Sequence, residues 1–319
     1  MEGVADYLTR QLITDTGGYD LCVTEFIRVS DAVYPTHVFY RLCPELRHGS
    51  QTTGGTPVHV QFLGSNATLI AENACKAIEL GAQGVDLNFG CPSKTVNNHK
   101  GGAALLLEPE TIYSLVEAVR QQVPAAIPVT AKMRLGFFDD SHALDIALGI
   151  EAAGADGLTI HARTRSEGYR PPAHWHKLAP IRNQLSIPLT ANGELWSVED
   201  YHRCRQASGC DDVMIGRGAV AQPWLAQAIK ASLAGEAHET VNSWDNNLEI
   251  LKTFAKTVDA LADDEAYLYN INNRQRYLGD RIKQWLNMMA KSNQNAAELF
   301  DSLKRCRCVD TILSEIKAA

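Results

Sequence analysis

Six polar positions stand at the ends of short apolar runs, and they are residue types that bind an anionic ligand and move protons. Gln61 closes the run 58–62. Asn88 closes 85–88 and leads into Gly90-Cys91-Pro92-Ser93, and Lys132 lies within 129–133. His161 closes 158–161, Asn192-Gly193-Glu194 follows 189–191, and Gly216-Arg217-Gly218 follows 213–215. Taken singly, each has a plain structural explanation: strand-end Asn and Gly form turns, and a lone His is more often a hydrogen-bonded structural residue. With six of seven runs ending this way, the set reads as one ring around one ligand.

The last two loops indicate that the ligand carries a phosphate. Their glycines let backbone N–H groups approach closely, and Arg217 adds charge. An inward lysine suits a ligand that gains negative charge, as a reduced flavin does near N1. Phosphate grip, Lys132 and the surrounding amide and imidazole groups fit FMN better than a sugar phosphate. A barrel aldolase using Lys132 as a Schiff base stays open, but it leaves Cys91 and Gln61 without a role. The pattern Gly216-Arg217-Gly218-Ala219-Val220-Ala221 also matches a dinucleotide fingerprint, with Glu236 near the expected acidic position. It is read as a decoy, because a Rossmann unit needs another strand after the helix and only helical pattern follows.

The elements that must position these groups are legible as alternation. The runs 21–24, 58–62, 85–88, 129–133, 158–161, 189–191 and 213–215 are short and apolar on both faces, as parallel strands between helices are. Amphipathic stretches at 66–80, 110–122, 142–153 and 198–207 lie between them, and Gly81 and Gly154 mark two helix ends. The expected fold is α/β: a TIM (β/α)8 barrel whose first strand is missing from this chain, followed by a small all-helical C-terminal domain of three or four helices. The boundaries expected are a catalytic barrel at 1–233, a polar connection at 234–246 and a helical domain at 247–319.

The net charge of −7 argues against a nucleic-acid binder, but its distribution does not. Residues 270–307 hold 8 Lys or Arg against 3 Asp or Glu. The eight cysteines include no Cys-x-x-Cys pair, so neither a zinc site nor a disulfide framework is expected. No apolar stretch approaches the ~18 residues of a membrane span, and no charged-then-apolar leader opens the chain. A cytoplasmic protein without metal or membrane is expected.

The segment 88–94, Asn-Phe-Gly-Cys-Pro-Ser-Lys, resembles the tRNA-dihydrouridine synthases. So do Val60-Gln61-Phe62-Leu63-Gly64, Ala131-Lys132-Met133-Arg134-Leu135-Gly136, His161-Ala162-Arg163-Thr164, Ala191-Asn192-Gly193-Glu194 and Met214-Ile215-Gly216-Arg217-Gly218, in family order. Arg281-Ile282-Lys283-Gln284-Trp285-Leu286 resembles the C subfamily, which reduces uridine 16 of the tRNA D-loop. The resemblance implies FMN at the barrel mouth, reduced by NADPH that leaves before tRNA binds. It places Gln61 on the pyrimidine side of the flavin, Lys132 near N1 and His161 close by. Asn192, Gly193, Glu194, Gly216 and Arg217 fall at the phosphate end. Cys91 is the implied catalytic acid: after hydride reaches uracil C6, C5 needs a proton, and an ordinary thiol is protonated at neutral pH. Such a cysteine is expected to lack a strong thiolate-stabilising partner.

The resemblance also implies Arg28, Asn88 and Tyr169 as tRNA contacts near the mouth, with Arg281 and Lys283 from the tail. The family motif Ala-Pro-Met-Glu-Gly is entered here at its Met. Met1 and Glu2 are therefore expected at the FMN wall, and flavin binding is expected to suffer from the lost strand. Segment 263–280 looks longer than its family counterpart, which bears on the choice of uridine. The competing readings are a non-catalytic tRNA-binding protein and a barrel flavoprotein acting on a free pyrimidine. The basic tail speaks against the second, and the presence of Cys91 and Lys132 speaks against the first.

Overall fold

The computed structural model describes residues 1–237, 243–269 and 271–319, so part of the expected 234–246 connection lies outside the described residues. Eight short strands form one sheet: β1 (Cys22–Val23), β2 (Ile27–Arg28), β3 (Val58–Leu63), β4 (Val85–Phe89), β5 (Val129–Arg134), β6 (Gly157–His161), β7 (Leu189–Asn192) and β8 (Val213–Met214). Every pairing between them is parallel. β1 and β2 both pair with β3, so the first apolar run and its sequel act as one strand interrupted at residues 24–26. The sheet therefore has seven strand positions, and among the described residues nothing pairs β8 with β1 or β2.

Helices alternate with the strands from β3 onward and cover the outside of the sheet. Ala67–Glu79, Pro109–Gln122, Ala143–Ala152 and Val198–Ser208 stand where amphipathic periodicity places them. Gly81 and Gly154 take φ of +102° and +96° just beyond the first and third of these helices, a backbone that ends a helix at little cost only in glycine. All six residues of β3 are buried, as a strand packed on both faces requires.

A second apolar core sits in the tail. Phe254, Ile282, Trp285, Leu286 and Ile312 are fully enclosed there, and Leu8, Leu12, Ile13, Ala219 and Val220 complete the cluster. The tail thus packs on helix Tyr7–Asp15 and on the short helix Arg217–Ala221 that follows β8. Among the described residues it has five helices rather than three or four: Trp244–Ala260, Asp263–Leu268, Arg274–Met289, Gln294–Leu303 and Val309–Ala318. The additional boundaries come from side-chain caps at Asn273 and Asn293, which accept from Arg276 and Ala296 backbone N–H groups. No strand follows β8 among the described residues, as the decoy reading of the glycine pattern requires. No described helix is long and apolar enough to cross a membrane.

Candidate active site

Strand register sets the site. Gln61, Asp86 and Thr130 lie side by side on β3, β4 and β5. Two residues further along, Asn88, Lys132 and Thr159 are neighbours, and beyond them Arg134, His161 and Asn192. Residues two apart on a strand share a face, so these polar groups form rising tiers on one side of the sheet at the carboxyl ends of its strands.

The tiers are joined by hydrogen bonds. Gln61 Nε2 donates to Asp86 Oδ2 at 2.7 Å, and Thr130 Oγ1 donates to Asp86 Oδ1 at 2.6 Å. Asn88 Nδ2 donates to Gln61 Oε1 at 2.7 Å, and its own Oδ1 accepts from Gly90 N at 2.9 Å. Lys132 Nζ donates to Asn192 Oδ1 at 3.1 Å, and Asn192 Nδ2 holds the Met214 carbonyl at 2.7 Å. Lys132 has no carboxylate within ion-pair distance among the described residues. Burial pulls its ammonium down to about 8, with Arg134 adding repulsion and Asp86 opposing it.

Cations crowd the mouth. Arg134 and Arg163 are both enclosed, and Arg134 ties two loops together by donating to the carbonyls of Gly90, Thr164 and Gly168. Arg163 Nη1 lies 3.2 Å from His161 Nε2. Its Nη2 forms an ion pair with Glu194 Oε1 at 3.0 Å without hydrogen-bond alignment. Arg217 is 3.8 Å from the same carboxylate oxygen. Burial first, and then Lys132, Arg134, Arg163 and Arg217, hold the His161 imidazole far below its ordinary value, so it is neutral. Gly193, at φ +117°, has no room for a side chain: a Cβ there would lie 2.7 Å from His161 Cδ2. Glu194 itself takes φ +56°, a left-handed backbone rare outside glycine.

Cys91 sits half-buried on the loop after β4. Its carbonyl accepts from Ala103 N at 3.1 Å and Asn97 Nδ2 at 2.9 Å, which pins the loop. Burial pushes the thiol up, against weaker pulls from the Ser93 backbone N–H and Arg134. The Tyr169 ring is exposed, with the Arg134 and Arg217 guanidinium groups at 5.3 and 4.7 Å from its centre.

The other expected contacts are placed less centrally. Arg28 lies on β2, and its carbonyl accepts from the Tyr34 hydroxyl. Arg281 is already engaged: Nη2 pairs with Asp6 Oδ2 at 2.6 Å and Nη1 donates to the Gly3 carbonyl. Lys283 Nζ donates to the Cys306 carbonyl at 3.2 Å. Met1 reaches the mouth, its Sδ 3.4 Å from where a Gly216 side chain would start, and both Met1 and Glu2 are exposed.

Sequence reasoning gave no role to Asp86, Thr130, Arg134 or Arg163. The first three lie two residues from Asn88 or Lys132, so strand alternation could have found them. Lys291 of the tail, 4.4 Å above the Trp196 ring, had no sequence signal at all. A cavity of about 160 Å³, lined by residues that include Tyr7, Gln11, Glu45, His48 and Thr52, holds none of these groups.

The sequence model of the dihydrouridine synthase (Dus) family matches residues 1–316. The chain belongs to this family. It is 45% identical over 317 residues to a tRNA-dihydrouridine(16) synthase of Aquipseudomonas alcaligenes, covering 98% of this chain and 97% of that one. It is 46% identical over 305 residues to one of Pseudomonas putida, covering 96% and 91%. Among solved structures, 6-hydroxypseudooxynicotine amine oxidase of Pseudomonas geniculata N1 shares the fold alone. Its TM-score is 0.54 at 11% identity, over 74% of this chain and 45% of that one. The parallel βα sheet with its helical tail is the family's barrel architecture as this chain presents it.

Proposed function

We infer that this chain reduces a uridine of folded tRNA, uridine 16 of the D-loop, to 5,6-dihydrouridine, with FMN as cofactor and NADPH as reductant. The relatives that it matches nearly end to end are tRNA-dihydrouridine(16) synthases. The donor set suits FMN: four cations converge on a neutral imidazole, Glu194 pairs with two of them, Arg163 and Arg217, and glycine is required at 193. Lys132, Gln61 and His161 would line the flavin ring, with Met1 and Glu2 at its wall. Asn192, Gly193, Glu194, Gly216 and Arg217 would hold the phosphate end. When bound, reduced FMN would supply the hydride for uracil C6.

The observation that carries the reading is the state of Cys91. A half-buried thiol at the strand ends, pushed above its ordinary value because burial outweighs the Ser93 N–H and Arg134, keeps its proton at neutral pH and can give it to C5. A nucleophilic cysteine would need the opposite shift. Lys132 keeps a cation where negative charge grows during the reduction. The target base must leave its stack to reach this mouth, and exposed Tyr169, beside Arg134 and Arg217, offers it an aromatic ring. Arg28 and Asn88 would contact the same strand of RNA. The barrel at 1–233 would be the catalytic domain and 247–319 the tRNA-binding one, with Arg281 and Lys283 on its contact face.

The test begins with the visible absorption spectrum of the purified protein. Flavin bands that bleach with NADPH and return on adding unmodified tRNA, with dihydrouridine mapped at position 16, are the expected result. A folded protein that binds tRNA and no flavin would instead be a non-catalytic binder. Turnover of free uracil without tRNA would favour the free-pyrimidine reading.

A further inference from the structure

The hydrogen-bond chain beneath Cys91 runs in one direction. Gly90 N–H donates to Asn88 Oδ1, Asn88 Nδ2 donates to Gln61 Oε1, and Gln61 Nε2 donates to Asp86 Oδ2. The chain ends on a carboxylate only 2% exposed, whose other oxygen accepts from Thr130. Ionised, a carboxylate accepts and cannot donate, whereas Gln and Asn amides can be turned either way. Both Asp86 oxygens accept here, from Gln61 Nε2 and Thr130 Oγ1, so the carboxyl fixes which end of the Gln61 amide faces it. That choice fixes Asn88, which in turn must present its oxygen to Gly90. Gly90 is the residue before Cys91, and its carbonyl is gripped from the other side by Arg134 Nε at 2.9 Å.

We propose that Asp86 is a positioning residue: its buried carboxylate sets the direction of the chain Gly90–Asn88–Gln61, and so holds both the Cys91 loop and the Gln61 amide in their working orientations. Among the described residues no partner takes the second N–H of Gln61 Nε2, which is the donor this arrangement leaves for a bound group. No ion pair of the described residues includes Asp86. Burial pushes its carboxyl up, while the bonds from Thr130 and Gln61 and the charge of Lys132 pull it down. A buried carboxylate held by hydrogen bonds without an ion pair is costly, and a purely structural layer would be served better by apolar side chains.

The inference rests on the flavin reading only for the use made of Gln61, and the test separates the two. Asp86→Asn keeps the shape and removes the acceptor-only end, so the chain can run either way. Amide hydrogen exchange of Gly90, followed in full-length protein labelled at glycine and valine, should accelerate at least about tenfold in the variant. The flanking strand amides of Val85 and Val129 should keep their protection. FMN affinity of the cofactor-stripped protein, read by fluorescence quenching, should fall in parallel. If Asp86→Asn does not fold, Thr130→Val, which removes the other bond to the carboxylate, should show the same pattern in weaker form. Unchanged Gly90 exchange overturns the proposal, and so does faster exchange spread evenly over Val85 and Val129. If wild-type protein takes up no FMN while Gly90 responds as expected, the flavin reading fails and the positioning role stands.

Discussion

Replacing Lys132 with Met should make the folded protein more stable at neutral pH while abolishing the proposed FMN binding. The reason is a cation held inside the mouth with no ion pair among the described residues, its ammonium lowered from 10.5 to about 8 mainly by burial. At about 1.4 kcal/mol per pH unit, that shift corresponds to roughly 3 kcal/mol of destabilisation when the lysine is charged in both folded and unfolded chains. This is an upper bound, because the side chain keeps some solvent contact. Removing the lysine also leaves Asn192 Oδ1 without its donor, at a cost of about 1 kcal/mol. The net expectation is a gain of about 1–2 kcal/mol.

The pH dependence carries the sign. Below pH 8 both states of the wild type hold the proton and the full penalty applies. Between about 8 and 10.5 the unfolded chain binds more protons than the native one, so wild-type stability rises with pH and the gap to the variant closes. Urea unfolding of both proteins at pH 7 and pH 9.5 measures this directly. A variant less stable than wild type at pH 7, or a gap that does not change with pH, would refute the reasoning.

Cys91→Ala should still let NADPH bleach the flavin, while dihydrouridine formation falls by about 10²–10⁴-fold in single-turnover assays; full activity would remove Cys91 from the acid role. Iodoacetamide labelling of wild-type Cys91 should climb only above the ordinary thiol range near ~8.5, since burial raises this thiol; rapid labelling at pH 6 would contradict that. Gly193→Ala should cost about 1–3 kcal/mol in unfolding and weaken FMN binding, because the new methyl meets His161 and the backbone is left-handed; a neutral result would mean the loop can shift. Arg281→Ala should weaken tRNA binding and reduce the salt slope by about 0.9 if the guanidinium reaches a phosphate. A lower Tm with an unchanged slope would leave it only as the anchor of Asp6.

The sequence alone determined the seven apolar runs and the polar groups that end them, because alternation of buried strands and amphipathic helices is a local signal. It also delivered Gln61, Asn88, Cys91, Lys132, His161, Asn192 and Arg217 as a set, since a strand's end is a fixed place in a parallel βα fold. Two-residue spacing would have added Asp86, Thr130 and Arg134, whose side chains share faces with residues already chosen. Tertiary structure alone decided the rest. That Arg281 spends its charge on Asp6, that Lys291 lies over Trp196, and that helix Tyr7–Asp15 completes the tail's core are contacts between segments as much as 275 positions apart. No local periodicity encodes such pairs. The state of each ionisable group was likewise hidden: a lysine near 8, a neutral His161 and a protonated Cys91 follow from burial and from neighbouring charge, and both exist only once the strands lie side by side.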